Sequence, residues 1–84
     1  MAISNDYIKN RAKYTLSKVH LGESWTDGKG VKHRELVLEG EVIGDIHDGV
    51  KLDYVEIDGH QETERGIKVF LFFNGSPVGH IWLM

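Results

Sequence analysis

The chain of 84 residues contains no cysteine. This excludes disulfide bonds, thiolate nucleophiles and the cysteine-rich zinc sites with which many small domains replace a large core. Stability must then come from packing or from pairing with a second subunit, because a single core of this size rarely supplies more than a few kcal/mol. We therefore expect a homodimer.

Long hydrophobic runs are also missing, and no stretch of about 18 apolar residues occurs. The first residues carry charges with no apolar segment behind them, unlike a secretory signal. No linker, internal repeat or low-complexity stretch divides the chain. We expect one globular domain over residues 1–84, no membrane contact and a cytoplasmic location.

The net charge of −3 is distributed unevenly along the chain. Residues 1–34 hold seven Lys and Arg against three Asp and Glu, whereas residues 35–84 hold three against ten, which is +4 followed by −7. Such segregation gives either faces of opposite sign that orient a partner or a surface in which neighbouring strands compensate each other.

A short helix is predicted near the N-terminus. Ser4 or Asn5 is suited to the N-cap, Asp6 suits the positive end of the helix dipole, and apolar residues recur at helical spacing. These apolar residues are Ile8, Ala12 and Leu16. Residues 14–21 are compatible with either a longer helix or a strand; we choose a long strand that leads to a hairpin tip at residues 27–30.

The clearest alternation of apolar and polar residues extends from His33 to Ile46 and predicts one strand with a buried and a wet face. Gly40 and Gly44 inside it indicate a bend or bulge. Further strands are predicted over residues 50–57, with a bulge at Tyr54, over 67–73 and over 78–84, with a polar loop at 58–65 and a turn at 74–77.

The predicted fold is therefore mainly β, a β-rich α+β domain. A short N-terminal helix is combined with a five-stranded antiparallel meander that curls into a small barrel or a strongly twisted sheet.

Residues 42–49, VIGDIHDG, resemble the Gly-Asp-x-His-Gly block of metallophosphoesterases. That family's further Asp, Asn and His blocks are missing, and Asp48 stands where its Gly belongs, so we interpret the segment as a strand and a turn. His33 with Glu35, Asp45 with His47, and Asp58 with His60 each give two ligand types, whereas zinc needs three or four that converge. We expect no metal and no cofactor.

Motifs for catalysis are weak throughout. Ser17, Ser24 and Ser76 have no recognisable catalytic context, and residues 28–30 (Gly-Lys-Gly) lack the Lys-Ser/Thr ending of a phosphate loop. A domain of this size also offers little concavity in which to shelter a reaction. We expect that the protein is not an enzyme.

Binding of single-stranded nucleic acid is the alternative hypothesis. The strand pattern of residues 36–73 loosely resembles the first three strands of an OB-fold, although this is the acidic part of the chain. A basic aromatic surface could instead come from the N-terminal third. Its residues are Lys9, Arg11, Lys13, Lys18 and Tyr14.

The favoured hypothesis is a non-enzymatic protein-binding module. The last two strands hold more apolar residues than one sheet face can bury, and an acidic wet face can steer a partner. Small, acidic, motif-free chains of this kind are typical of accessory or inhibitor proteins of phages and mobile elements, which dock on a larger host complex. The predicted contact residues are Glu35, Glu39, Glu41 and Asp45, with Trp25 and Trp82 as anchors.

Overall fold

A computed structural model describes residues 4–83 and shows one helix and six strands in this range. The mainly β class with an N-terminal helix is confirmed. In chain order the elements are α1 (Asn5–Leu16), β1 (His20–Thr26), β2 (Lys32–Leu38), β3 (Glu41–His47), a 3-10 turn (Leu52–Tyr54), β4 (Glu56–Thr63), β5 (Gly66–Phe73) and β6 (Ser76–Leu83).

The strands form one antiparallel sheet in the order β1-β2-β3-β6-β5-β4. Two three-stranded meanders are joined through β3 and β6, so β1 and β4 are the two edges. The predicted count of five strands in a single meander is wrong, because residues 4–83 form six. Of the two predicted forms, a small barrel or a strongly twisted sheet, the barrel is wrong, because the sheet is open.

The sixth strand arises from a turn inside the predicted strand of residues 33–46. Glu39 and Gly40 have φ values of 52° and 84°, the left-handed pair of a two-residue hairpin turn. The alternation of apolar and polar residues continues through such a turn, and Glu is an uncommon residue at this conformation. The sequence pattern therefore resembled one bent strand.

Residues 50–65 also differ from the prediction. The predicted strand over 50–57 is largely a turn and the 3-10 segment, and the predicted loop over 58–65 is largely β4. A bulge explains the difference, because the register of β4 against β5 shifts between Ile57 and His60, and Gly59 has φ 101°. Asp58-Gly59 thus marks an irregularity within a strand.

The N-terminal helix follows the sequence prediction at its start. The Ser4 side chain accepts a hydrogen bond of 3.1 Å from the backbone N–H of Tyr7, which caps α1. The strand chosen for residues 14–21 is wrong at residues 14–16, which belong to α1, and the strand begins only at His20. The predicted hairpin tip at 27–30 and the turn at Asn74-Gly75 are confirmed, the latter with φ values of 51° and 80°.

The core lies between α1 and one face of the sheet. Its members are Ile8, Ala12, Leu16, Leu36, Ile46, Ile57, Val69, Leu71, Val78, Ile81 and Leu83. No helix or strand within residues 4–83 packs on the opposite face of the sheet. No helix in the described range is long and apolar enough to cross a membrane.

Candidate interaction surface

The sheet face that points away from α1 is called the open face below. Its side chains alternate along each strand with those of the core; on β6, for example, His80 and Trp82 alternate with Ile81 and Leu83. Most of them are half-buried among their neighbours. The open face includes Trp25, His33, Glu35, Asp45, His47, Lys68, Phe70, Phe72, His80 and Trp82, with Asp27 and Arg65 reaching it from adjacent turns.

An aspartate-histidine pair fixes one side of the open face. The Nε2–H of His33 donates to Oδ2 of Asp27 at 2.8 Å, since a carboxylate can only accept. The other oxygen of Asp27 accepts from the backbone N–H of Lys29 at 2.8 Å and of Val31 at 3.0 Å, which closes the hairpin turn. The bond from His33, followed by that from Val31, lowers the pKa of Asp27 to about 2.

Asp45 lies between two imidazole rings. Its Oδ1 is 3.5 Å from Nδ1 of His33, a buried atom without a hydrogen bond, and its Oδ2 is 3.7 Å from Nδ1 of His80. Partial burial lowers the pKa of His80 below its ordinary 6.5, the charge of Asp45 opposes this, and Lys68 lowers it further. Of the two rings, that of His33 is oriented by its hydrogen bond to Asp27.

Trp25 is held flat against this group. Its ring stacks on that of His33, with 4.3 Å between the ring centroids and an interplanar angle of 15°. The ring of His47 meets that of His33 edge-on, with 5.0 Å between their centroids. The three residues are register partners on β1, β2 and β3. Trp25 remains 44% exposed, so an indole supported on one side by His33 is presented to solvent.

Cations cover aromatic rings on the other side of the open face. Cζ of Arg65 lies 5.3 Å and Nζ of Lys68 5.9 Å from the ring centroid of Trp82, and Nζ of Lys68 is also 5.8 Å from that of Phe70. The ring of His80 meets Trp82 edge-on at 6.3 Å, which connects the two sides.

Four of the six contact residues predicted from the sequence lie together on the open face: Trp25, Glu35, Asp45 and Trp82. The Glu35 Oε1 accepts from the backbone N–H of Glu23 at 3.1 Å, so its carboxylate is tied to the β1 bulge. The other two, Glu39 and Glu41, lie at the β2–β3 turn and line a cavity at the end of the sheet with Arg11, Trp82 and Leu83.

The residues of the nucleic-acid alternative do not share one face. Lys9 and Lys13 lie on the flank of α1 nearest β4 and line a cavity with Glu56 and Asp58. Arg11 lies on the other flank. Lys18 places its Nζ 5.0 Å from the ring of Tyr14, which is 64% exposed.

Several residues of the open face were not singled out as site residues from the sequence, above all Asp27, His80, Arg65 and Lys68. His33 was considered as a metal ligand in a pair with Glu35, and the missed signal was its partner Asp27 in the hairpin turn. Within residues 4–83, no group of three histidine or acidic side chains is placed to hold a metal ion.

Comparison of the chain with protein-family models, curated proteins and solved structures found no match. Inferences about function therefore depend on the geometry of the open face.

Proposed function

We propose that this protein is a non-enzymatic protein-binding module that docks its open face on a larger protein complex, as a small accessory or inhibitor protein does. One observation carries the proposal: α1 covers one face of the sheet, and the described chain leaves the other uncovered although it carries both tryptophans. Apolar surface of this kind is costly to leave in water.

The composition of the open face supports docking. Tryptophan and arginine are the residue types most enriched among side chains that dominate binding energy at protein interfaces. Trp25 is stacked on His33, and Trp82 lies beneath Arg65 and Lys68. Side chains already fixed in the free protein lose little conformational entropy on binding, which favours affinity.

The charges of the open face favour a protein over nucleic acid. Glu35 and Asp45 would repel phosphates, and the two cations nearest the aromatic rings, Arg65 and Lys68, already lie over Trp82. A face with both signs of charge suits a protein surface, on which acidic and basic residues are interspersed.

Affinity capture from a lysate of the source cells tests the proposal, with immobilised wild type compared with open-face and helix variants. We expect Trp25→Ala or Trp82→Ala to reduce the retained partner about tenfold or more, because each removes an anchor outside the core. The matched control, Lys9→Glu combined with Lys13→Glu on α1, is expected to retain the partner fully, with or without nuclease.

Loss of retention in the helix variant together with sensitivity to nuclease would contradict the proposal and favour the nucleic-acid alternative. Equal retention by wild type and both tryptophan variants would also contradict it, provided that circular dichroism shows the variants folded.

A further inference from the structure

The charges of the open face are divided between its two sides. The acidic carboxylates Asp27, Glu35 and Asp45 belong to the side formed by β1, β2 and β3. The cations Arg65 and Lys68 belong to the side formed by β5 and β6. Apart from Glu56, which pairs with Phe72 from the edge strand β4, the open face is thus bipolar, with the boundary between the central strands β3 and β6.

The strand order makes this bipolar face complementary to itself. A two-fold axis that runs along the strands between β3 and β6 places β6 of one copy over β3 of the other, and β5 over β2. Lys68 on β5 then lies over the strand that carries Glu35, two residues along the strand direction from the level of Glu35, and the same placement occurs a second time by symmetry. Such an arrangement is an isologous interface, the type found in two-fold homodimers.

We propose that the open face is covered by the open face of a second copy of this chain, acidic side against basic side. This inference rests on the proposed function, because it takes the open face to be a protein-binding surface. It identifies a second copy of the chain as the partner of that surface when no larger partner is bound. A larger partner would then displace the second copy and bind the same face.

The size of the open face is sufficient for this role. Six strands about 4.8 Å apart and seven or eight residues long, at about 3.3 Å per residue, give a face of roughly 600 to 700 Å². This is close to the roughly 800 Å² that each partner contributes to a standard-size protein interface. The aromatic side chains Trp25, Phe70, Phe72 and Trp82 supply the apolar part of the contact.

Reciprocal charge reversal tests the dimer. Light scattering on a size-exclusion column is expected to give twice the chain mass of 9.5 kDa for the wild type. Lys68→Glu alone and Glu35→Lys alone each place long side chains of like charge on facing strands, within reach of one another, and each is expected to raise the dimer dissociation constant about tenfold or more. An equimolar mixture of the two variants restores both opposite-sign contacts, and we expect the dimer to return.

The mixture separates an interface effect from a folding effect, because two misfolded variants would not rescue each other. Lys9→Glu on α1 is the control that changes charge by the same amount and is expected to remain dimeric. Wild type that stays monomeric at roughly millimolar concentration, or single reversals that stay as dimeric as wild type, would overturn the inference.

The outcome is distinguishable from failure of the proposed function. A monomeric wild type whose capture of a larger partner still depends on Trp25 and Trp82 would overturn the dimer and leave the docking function in place. A dimer restored by mixing, together with capture indifferent to both tryptophans, would support the dimer and contradict docking on a larger complex through this face.

Discussion

Asp27 performs two structural roles with one carboxylate. One oxygen accepts the amides of Lys29 and Val31 and shapes the β1–β2 turn, while the other orients His33 beneath Trp25. The ionised form accepts all three bonds, and protonation would remove accepting capacity. Turn geometry and the position of an exposed tryptophan are therefore coupled through a single residue.

Asp27→Asn is expected to lower stability at neutral pH and to flatten the acid response. The pKa of Asp27 is lowered from 3.8 to about 2, so its stabilising contribution is complete above about 4 and is lost as the pH falls through about 2. Asn keeps the acceptor for the turn but loses the one for His33. Urea unfolding between pH 7 and pH 2 checks this, and the difference between wild type and variant should shrink below pH 4. A constant difference would contradict the assignment.

His80 is expected to titrate below its ordinary value of 6.5, because partial burial and Lys68 disfavour its charged form. Its pKa should rise in Lys68→Ala and fall further in Asp45→Asn. Because the pKa of His80 is lower in the native than in the unfolded protein, its neutral ring stabilises the native state above pH 6.5. This contribution is lost as the pH falls through the native pKa. Histidine NMR titration measures these pKa values, and a wild-type midpoint above 6.5 would contradict the expectation.

At the scale of elements, the two meanders are joined by the pairing of β3 with β6, and this pairing depends on a glycine in each strand. A Cβ on Gly44 would lie 2.0 Å from the carbonyl oxygen of His80, and one on Gly79 would lie 2.1 Å from that of Asp45. The two backbones approach so closely that any side chain at either position would separate them.

Gly44→Ala is therefore expected to destabilise the fold by about 2 kcal/mol or more, since the strands must move apart in the centre of the sheet. Gly28→Ala is the matched control: no atom lies within 4 Å of its added Cβ, and the expected change is within about 0.5 kcal/mol. Thermal or urea unfolding measures both. Equal effects of the two substitutions would contradict the close approach.

Local chemistry made some elements predictable from the sequence. The Ser4 cap with Ile8, Ala12 and Leu16, and the Asn74-Gly75 turn, each depend on residues that are adjacent or one turn apart. The prediction failed where residues that usually indicate one type of structure form another. Glu39 adopts a left-handed conformation usually held by Asn, Asp or Gly, and Asp58-Gly59 forms a bulge rather than a loop.

The candidate site was predictable only in part, because its contacts cross strands far apart in the chain. Trp25, Glu35, Asp45 and Trp82 could be chosen by residue type and alternation. That Asp45 lies beside both His33 and His80 depends on β3 pairing with β2 and β6, an order that the predicted single meander did not contain. The cations over Trp82 depend on the β5–β6 register in the same way.

At the scale of the whole molecule, α1 and the open face are the two broad surfaces that another chain could cover. Tryptophan signals distinguish the two surfaces in NMR spectra, because both tryptophans of the chain lie on the open face and α1 has none. The backbone amide signals of Lys9 and Lys13 on α1 can be used to monitor the opposite side of the molecule.

A concentration series of nitrogen–proton NMR spectra, from about 10 μM to about 1 mM, tests most directly that the open face receives another protein chain. We expect the indole N–H signals of Trp25 and Trp82 to shift with concentration and to become protected from a paramagnetic solvent probe. The amide signals of Lys9 and Lys13 should not move. Movement of the α1 signals with unchanged indoles, or indoles that stay fully accessible at every concentration, would contradict the face-to-face arrangement.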